Sequence, residues 1–287
     1  MVRIQSGSAI TVLNAIKSDF GCAIGVEMDN WVEITKSDIF DVKTFPEQDP
    51  ILIDWCWNLM KEKYDINKQI KVETHSQVSG MKGTKTSSAI SSACIKAMSD
   101  FFTLQLKPSE IISISAKASI NAGVSITGAS DDAYACLYGG LAITKTESQE
   151  IVYHSDFQSD YEIVLLIPNE RNPKTQVKYD LEDYPTFNSK PMIKKIQQGD
   201  ILSVIKENTK YYAPKLLRDD SIVNDLQDYR AEVIGLNGAG PSLFALCLKQ
   251  NLRYFMDAVE NSFNNYFVIH TQSRKYNGDR FGQNRKM

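Results

Sequence analysis

Residues 79–98 read SGMKGTKTSSAISSACIKAM and join a flexible, positively charged segment to an apolar periodic run. From Ile90 onward, apolar side chains recur at intervals of three and four residues, which predicts an amphipathic helix. The hydroxyl residues Thr86, Ser87 and Ser88 are favoured at helix N-caps, so we expect one of them to cap this helix. A helix N-terminus offers unpaired N–H groups and a positive dipole end, which attract anions. The stretch therefore predicts a phosphate site at the start of a helix.

The residues before the helix fit the same interpretation. Gly80 and Gly83 let the backbone approach a ligand closely, and Lys82 or Lys85 would add positive charge. The spelling departs from the P-loop motif, which needs a glycine directly before the lysine where this chain has Thr84. Taken alone, such a segment is more often a capped helix after a flexible loop than a ligand site.

Two further segments strengthen the phosphate hypothesis. Residues 235–246, GLNGAGPSLFAL, form a second glycine-rich turn between apolar runs, and two such loops suggest one shared anion. Residues 123–140, GVSITGASDDAYACLYGG, place Asp131 and Asp132 ahead of a short apolar helix pattern. The two carboxylates either cap that helix or serve a reaction, one as general base and the other at Mg²⁺ or substrate.

Composition narrows the class of protein. The chain has 287 residues, 43% of them hydrophobic, and a net charge of −3, so overall charge indicates neither nucleic acid nor an anionic membrane as partner. Its five cysteines are scattered among apolar residues and form no CxxC pair, which favours buried free thiols over disulfides or zinc. No signal peptide or membrane-spanning run is evident, so we expect a cytoplasmic protein.

Helix and strand patterns alternate along the chain, which predicts an α+β fold. Residues 49–64 have helical spacing, with Ile51, Trp55, Leu59 and Met60 expected on one face. We expect strands at 69–78, at 140–147, at the buried run 161–170 and at IISISA, residues 111–116. The polar stretch 169–190 is the expected boundary between two units, 1–168 and 169–287.

The three motifs, in this order, resemble those of the GHMP kinase superfamily, which phosphorylates small alcohols and related metabolites. The family's phosphate loop, approximately Pro-x-x-x-Gly-Leu-x-Ser-Ser-Ala, is matched at Gly83, Ser87, Ser88 and Ala89, with Ser79 for proline and Thr84 for leucine. The third family motif is matched by these residues: Gly238, Gly240, Pro241 and Ser242. The resemblance implies a two-lobed fold of mixed sheets and helices, with the active site between the lobes.

Within the superfamily, the chain is most similar to the archaeal-type shikimate kinase family. The opening GSAITVLNAI, residues 7–16, and the central GASDDA, where Ser130 replaces an aromatic residue, carry this likeness. It implies ATP-dependent phosphorylation of the 3-hydroxyl of shikimate. Alternatives are another kinase of the superfamily, acting on homoserine, mevalonate or a sugar, and a non-catalytic nucleotide-binding protein on the same fold.

The resemblance also implies residue roles. ATP would be bound by these residues: Ser79, Gly80, Met81, Lys82, Gly83, Thr84, Lys85, Thr86, Ser87, Ser88, Ala89, Gly238 and Gly240. Asp131 would be the general base, with Asp132 as the alternative, and Lys85 a catalytic cation. Ser88 and Asp132 would hold Mg²⁺, since Ile120 stands where many relatives have a metal-binding glutamate. The substrate would lie near these residues: Gly7, Ser8, Asn14 and Asp131.

A substrate carboxylate needs a cationic partner. The sequence offers five candidates and does not choose among them: Arg3, Lys17, Lys117, Arg230 and Arg274.

Overall fold

The computed structural model describes residues 1–80, 82–157, 160–169, 184–217 and 219–277. Its strands are β1 (Val2–Leu13), β2 (Phe20–Ser37), β3 (Asp41–Phe45), β4 (Gln69–Ser76), β5 (Leu141–Lys145), β6 (Ile151–Ser155), β7 (Tyr161–Pro168), β8 (Val233–Leu236), β9 (Leu243–Leu248) and β10 (Tyr266–Thr271). Its helices are α1 (Ile51–Lys63), α2 (Thr86–Phe101), α3 (Pro108–Asn121), α4 (Ser130–Tyr138), α5 (Lys190–Gln197), α6 (Ile201–Leu216), α7 (Ser221–Gln227) and α8 (Lys249–Ser262). The mixture confirms the α+β expectation.

The first lobe is built on the long strand β2. Antiparallel β1 runs along one edge of β2, while β4 and β5 share the other edge and carry β3 and β6 outside them. The helices α1 to α4 cover this sheet, and their contacts with one another and with β2 bury a core that includes Ile34, Met60 and Ile95. Helices α2 and α4 both pack against β1 and β2, which brings their N-terminal ends together.

The second lobe is a four-stranded antiparallel sheet in the order β10-β7-β9-β8, accompanied by α5 to α8. Strand β7 lies inside this sheet and is almost wholly buried at its C-terminal end, as the apolar run predicted. One hydrophobic cluster combines residues of both lobes, among them Ile24 and Ile143 from the first sheet and Leu165 and Phe244 from the second. The lobes therefore share a core.

A C-terminal strap, residues 271–277, crosses from the second lobe to the first. The Arg274 N–H donates to the Gly25 carbonyl at 2.8 Å, and the Arg274 carbonyl accepts from Gly140 N–H at 2.9 Å. The Asn277 N–H donates to the Tyr138 carbonyl at 2.8 Å. The strap thus holds the C-terminal end of α4 against β2.

Two sequence expectations about elements were wrong. Residues 111–116 lie in α3, because the alternating Ile-Ser pattern also places Ile111, Ser115 and Ala118 on one buried helical face. The helix α1 is confirmed, but it buries Leu52, Ile53, Cys56, Trp57 and Met60, whereas Ile51 is 41% exposed.

Three further expectations concern the cysteines, membrane-spanning helices and the boundary between the two units. All five cysteines are free and buried, as expected. In the part of the chain that the structure describes, no helix combines the length and apolarity needed to span a bilayer. Most of the predicted boundary stretch, residues 170–183, lies outside the described residues, and the division into units 1–168 and 169–287 stays a prediction.

Candidate active site

The segment before α2 turns sharply into the helix. Lys85 is the N-cap residue and has a left-handed backbone, with φ of 58°, and no side chain caps the helix. The expectation that Thr86, Ser87 or Ser88 caps α2 was therefore wrong; these residues form its first turn. The Thr86 hydroxyl instead donates to the Val78 carbonyl at 3.0 Å and ties the two ends of the loop together. The uncapped N–H groups of the first turn stay available to an anion.

Strand β1 holds the loop that precedes α2 in place. The Ser8 hydroxyl donates to the Thr84 carbonyl at 2.6 Å, and the Ser6 hydroxyl donates to the Ala89 carbonyl at 3.1 Å. On the outer side, the Gly80 N–H donates to Gln48 Oε1 at 3.1 Å. Ser8 is fully buried, so its hydroxyl fixes the loop backbone at this point.

The second glycine-rich loop, between β8 and β9, lies directly against the first. Gly83 has a φ of +84°, and a Cβ there would lie 2.5 Å from Ser242 Oγ and 3.0 Å from the Gly240 carbonyl oxygen. A Cβ at Gly238 would lie 2.8 Å from Lys85 Nζ. Only glycine allows the two loops this close to each other.

Side chains at the end of β1 fix the second loop. Asn237 Oδ1 accepts from the Thr11 N–H at 3.1 Å and from the Thr11 hydroxyl at 3.2 Å. The Gly238 N–H donates to Thr11 Oγ1 at 2.9 Å, and Asn14 Nδ2 donates to the Gly238 carbonyl at 2.7 Å. The N-terminal GSAITVLN stretch thus connects both glycine-rich loops.

The paired aspartates occupy the first turn of α4 and are both buried. Asp132 Oδ2 forms an ion pair with Lys85 Nζ at 2.8 Å, and each of these side chains is 8% exposed. Asp132 Oδ1 is buried and has no hydrogen-bond partner. Asp131 packs instead against β2, where a Cβ at Gly21 would lie 2.8 Å from its Oδ2. The two neighbours therefore meet different surroundings.

This difference has an electrostatic consequence for Asp131. Burial, followed by the negative charge of Asp132, raises the pKa of Asp131 to about 8, and the positive charge of Lys85 opposes the rise. A carboxylate whose pKa lies near neutrality can accept a proton and hold it, as a general base requires.

One cavity brings these groups together. It is lined by Thr11, Asn14, Ala15, Ile16, Gly83, Thr84, Lys85, Thr86, Ser87, Ser88, Val124, Ser125, Ile126, Thr127, Ala129, Asp131, Asp132, Gly238 and Ala239. Gly238 and Ala239 belong to the loop between β8 and β9 of the second lobe, and the other lining residues belong to the first lobe. The cavity therefore lies between the lobes.

Several residues expected at the site lie outside the cavity lining: Gly7, Ser8, Ser79, Gly80, Lys82, Ala89 and Gly240. Met81 is outside the described residues. Conversely, the sequence reasoning missed the segment 124–129, which forms one wall. Its hydroxyl-rich composition directly before the paired aspartates was the available signal.

Asp132 and Ser88 contribute oxygen atoms to the cavity lining. No group of three or more His, Cys, Asp or Glu side chains with metal-binding geometry occurs among the described residues. Ile120 is 46% exposed and lies at the end of α3. The unpartnered Asp132 Oδ1 is nevertheless the type of oxygen that Mg²⁺ prefers, and Ser88 lines the same cavity.

The five cations considered for a substrate carboxylate lie in different places. Arg3 pairs with Glu33 at 3.3 Å, and Arg274 pairs with Glu27 at 3.0 Å in a separate groove. The other positions are as follows: Arg230 lies over the Tyr254 ring, Lys117 is exposed on α3, and Lys17 directly follows Ile16 of the cavity lining.

Comparison with known proteins identifies relatives of this chain. The family model described as GHMP kinases N terminal domain matches residues 52–140. A shikimate kinase of Pyrococcus abyssi is 30% identical over 251 residues, covering 84% of this chain and 90% of that protein. A shikimate kinase of Methanothermobacter thermautotrophicus is 29% identical over 270 residues, covering 90% and 91%.

Solved structures show the same fold. A homoserine kinase from Cytophaga hutchinsonii superposes with a TM-score of 0.75 at 16% identity, covering 97% of this chain and 96% of that one. The mevalonate kinase of L. major, solved with R-mevalonate, gives a TM-score of 0.73 at 13% identity, with 96% of each chain covered. On fold and sequence together, the chain belongs to the GHMP kinases, in the family of the archaeal shikimate kinases.

Proposed function

We propose that this protein transfers the γ-phosphoryl group of ATP to the 3-hydroxyl of shikimate. The observation that carries the proposal is the position of Asp131, a buried carboxylate with a pKa of about 8 in the same cavity as the uncapped start of α2. A base and an anion site that share one cavity fit phosphoryl transfer to an alcohol. The choice of shikimate as substrate rests on the archaeal relatives, which are named shikimate kinase.

In this mechanism the chain contributes alignment and charge. Residues 83–88 surround the phosphates of ATP with first-turn N–H groups of α2. The Lys85 ammonium, beside both loops, balances the negative charge that spreads over the transferred group. Asp131 accepts the proton of the substrate hydroxyl as that oxygen attacks the γ-phosphorus, and ADP leaves on the opposite side.

The metal is part of the proposal. Asp132 Oδ1 and the Ser88 hydroxyl would hold Mg²⁺, since Oδ1 is a buried oxygen without a partner. When bound, Mg²⁺ would supply positive charge against the phosphates of ATP. Asp132 would then be engaged by Lys85 on one oxygen and by the cation on the other, which leaves Asp131 as the base.

The cavity wall 124–129 provides hydroxyl groups that can bind a polar alcohol substrate. Ser125 and Thr127 lie on the cavity lining, and each hydroxyl oxygen accepts one backbone N–H, which leaves its own hydrogen to donate. Asn14 and Thr11 also line the cavity, but their side chains are committed to Gly238 and Asn237. A ring bearing several hydroxyl groups, such as shikimate, matches these partners better than an apolar alcohol does.

The test is a coupled ADP-release assay with ATP and Mg²⁺ against shikimate, homoserine, mevalonate and galactose. We expect turnover on shikimate and none above background on the other three. Turnover on a different member would keep the kinase mechanism and overturn the substrate. ATP binding without turnover on any alcohol would overturn the kinase and leave a nucleotide-binding protein.

A further inference from the structure

The side-chain amide of Gln149 connects the turn after β5 to the segment that enters α4. Gln149 Nε2 donates to the Thr127 carbonyl at 2.8 Å and also to the Thr146 carbonyl. Gln149 Oε1 accepts from the Ser130 hydroxyl. One amide thus contacts its own turn and both ends of the segment 127–130.

That segment combines an unfavourable backbone with only short-range hydrogen bonds of its own. Gly128 and Ala129 both have a left-handed backbone, with φ of 87° and 52°, a conformation that is unfavourable for a residue other than glycine. The Gly128 N–H donates to Ser125 Oγ at 3.0 Å, and the Ala129 N–H donates to Thr127 Oγ1 at 3.3 Å. Ala129 is the N-cap residue of α4, and no side chain caps this helix. The contacts of Gln149 add support from outside the segment.

The supported segment is part of the cavity. Thr127 and Ala129 line it, and Asp131 follows Ala129 by two positions. Ser130, which donates to Gln149, is 2% exposed and directly precedes Asp131. Any rotation of the first turn of α4 would move the Asp131 carboxyl away from its place against Gly21.

The turn that carries Gln149 is tied to the same strand as Gly21. The Thr146 N–H donates to the Asp19 carbonyl at 2.9 Å, and Thr144 of β5 pairs with Gly21 of β2. Gln149 therefore holds the start of α4 at a fixed distance from the strand surface on which Asp131 packs.

We propose that Gln149 is a positioning residue for the reaction, which acts through Ser130 and Thr127 to fix the orientation of Asp131. The effect on turnover rests on the proposed function, whereas the effect on the segment 127–130 does not. Gln149 itself is absent from the cavity lining, so it has no direct contact with a bound substrate.

The test compares Gln149→Met with Gln227→Met in the full chain. Methionine keeps the side-chain length and removes every hydrogen bond of the amide. Gln227 is a matched control because its Nε2 also donates to a backbone carbonyl, that of Ala231, in a turn away from the cavity. We expect faster amide hydrogen exchange in peptides covering 124–138 for Gln149→Met and unchanged exchange there for Gln227→Met.

In the kinetic test, we expect Gln149→Met to change kcat but not the KM for ATP. Gln149→Met should lower kcat by at least tenfold and leave the KM for ATP within about twofold, because the phosphate loop is untouched. A loss of folded protein alone would lower kcat without changing hydrogen exchange in the folded fraction, so both quantities are measured on the same preparation. Wild-type exchange, or a kcat within about twofold of wild type in a variant whose exchange is faster, would overturn the proposal.

Ser130→Ala provides a second variant if Gln149→Met fails to fold. It removes only the hydroxyl that Gln149 Oε1 accepts from, and alanine is a good helix former. It should speed exchange in 124–138 and lower kcat as Gln149→Met does, and combining the two changes should add less than the sum of their separate effects. Full additivity would overturn the coupling. If the wild-type protein fails to phosphorylate shikimate, the proposed function falls, while hydrogen exchange still decides whether Gln149 holds this segment.

Discussion

At the scale of single residues, Asp131 and Asp132 show how neighbours in sequence acquire different chemistry. A helix turns by about 100° per residue, so consecutive side chains in α4 project onto different structures. Asp132 pairs with Lys85 at the start of α2, while Asp131 packs against Gly21 of β2. The paired carboxylates were evident in the sequence, but their partners were not, because Lys85 precedes Asp132 by 47 residues.

Asp131→Asn should separate catalysis from binding. The amide cannot accept the proton of the substrate hydroxyl, so turnover should fall by about 100-fold or more while ATP affinity stays within about twofold. Initial rates and ATP titration measure the two effects. Asp225→Asn, an exposed change on α7, is the control and should leave both unchanged. Surviving turnover would make Asp131 structural and Asp132 the candidate base.

The same variant has a pH-dependent effect on stability. Asp131 has a pKa of about 8 in the folded protein against 3.8 for an ordinary aspartate, so the folded state loses stability as the pH rises between these values. Asparagine carries no charge and avoids this loss. The Tm of Asp131→Asn relative to wild type should therefore be higher at pH 9 than at pH 5, as measured by thermal unfolding. A difference independent of pH would contradict the raised pKa.

Lys85→Met should strongly destabilise the protein. It leaves Asp132 as a buried charge without its partner, at a cost of about 3–5 kcal/mol in the free energy of unfolding. Denaturant unfolding measures this cost. The exposed pair Lys96–Asp100, at 2.6 Å along α2, gives the control, since Lys96→Met should cost less than about 1 kcal/mol. Equal effects of the two changes would show that the buried pair is not what stabilises this region.

At the scale of elements, the contact between the two glycine-rich loops closes one end of the cavity. The sequence predicted both loops and a shared anion, and the structure places them in contact at Gly83. The sequence could not predict the backbone conformation of the loops, because it depends on hydrogen bonds from Ser8, Thr11 and Asn14, which lie far away in the chain. The strand predicted at residues 111–116 failed for a related reason. Its alternation of Ile and Ser fits the two-residue period of a strand as well as the 3.6-residue period of a helix. Pro108 and Glu110, which are typical of a helix start, were the signals that favoured the helix.

Gly83→Ala should weaken ATP binding by about tenfold or more, because the added methyl group would force the two loops apart at Ser242. Gly123→Ala is the matched control. Gly123 also has a positive φ, of +69°, but a Cβ there meets nothing within 4 Å. Both variants carry backbone strain, and only the first has the clash. Isothermal titration with ATP separates the two, and equal affinities would argue against a role for loop contact in nucleotide binding.

At the scale of the whole molecule, the two lobes are joined through a shared core. Ile24 and Ile143 of the first sheet and Leu165 and Phe244 of the second belong to one cluster of buried residues. The polar composition of residues 169–190 predicted a boundary between units, but composition cannot show which apolar faces meet after folding. The shared core implies that the lobes unfold together.

Leu165→Ala tests this coupling. Leu165 is 1% exposed in β7, and its truncation should cost about 2–5 kcal/mol. All three tryptophans, Trp31, Trp55 and Trp57, lie in the first lobe, so their fluorescence reports on that lobe alone. We expect the tryptophan transition in denaturant to shift together with the overall loss of helix measured by circular dichroism. An unchanged tryptophan midpoint would show that the units 1–168 and 169–287 unfold independently.

The C-terminal strap also sets an order in time during protein synthesis. The Gly25 carbonyl receives its partner from Arg274, about 250 residues later in the chain. At about 5–20 residues per second, the ribosome needs roughly 12–50 seconds to cover that distance. Throughout this interval the edge of β2 lacks the strap, and the end of α4 lacks it from the moment that Tyr138 is made. The helix that carries both aspartates therefore reaches its final support only after both glycine-rich loops have left the ribosome.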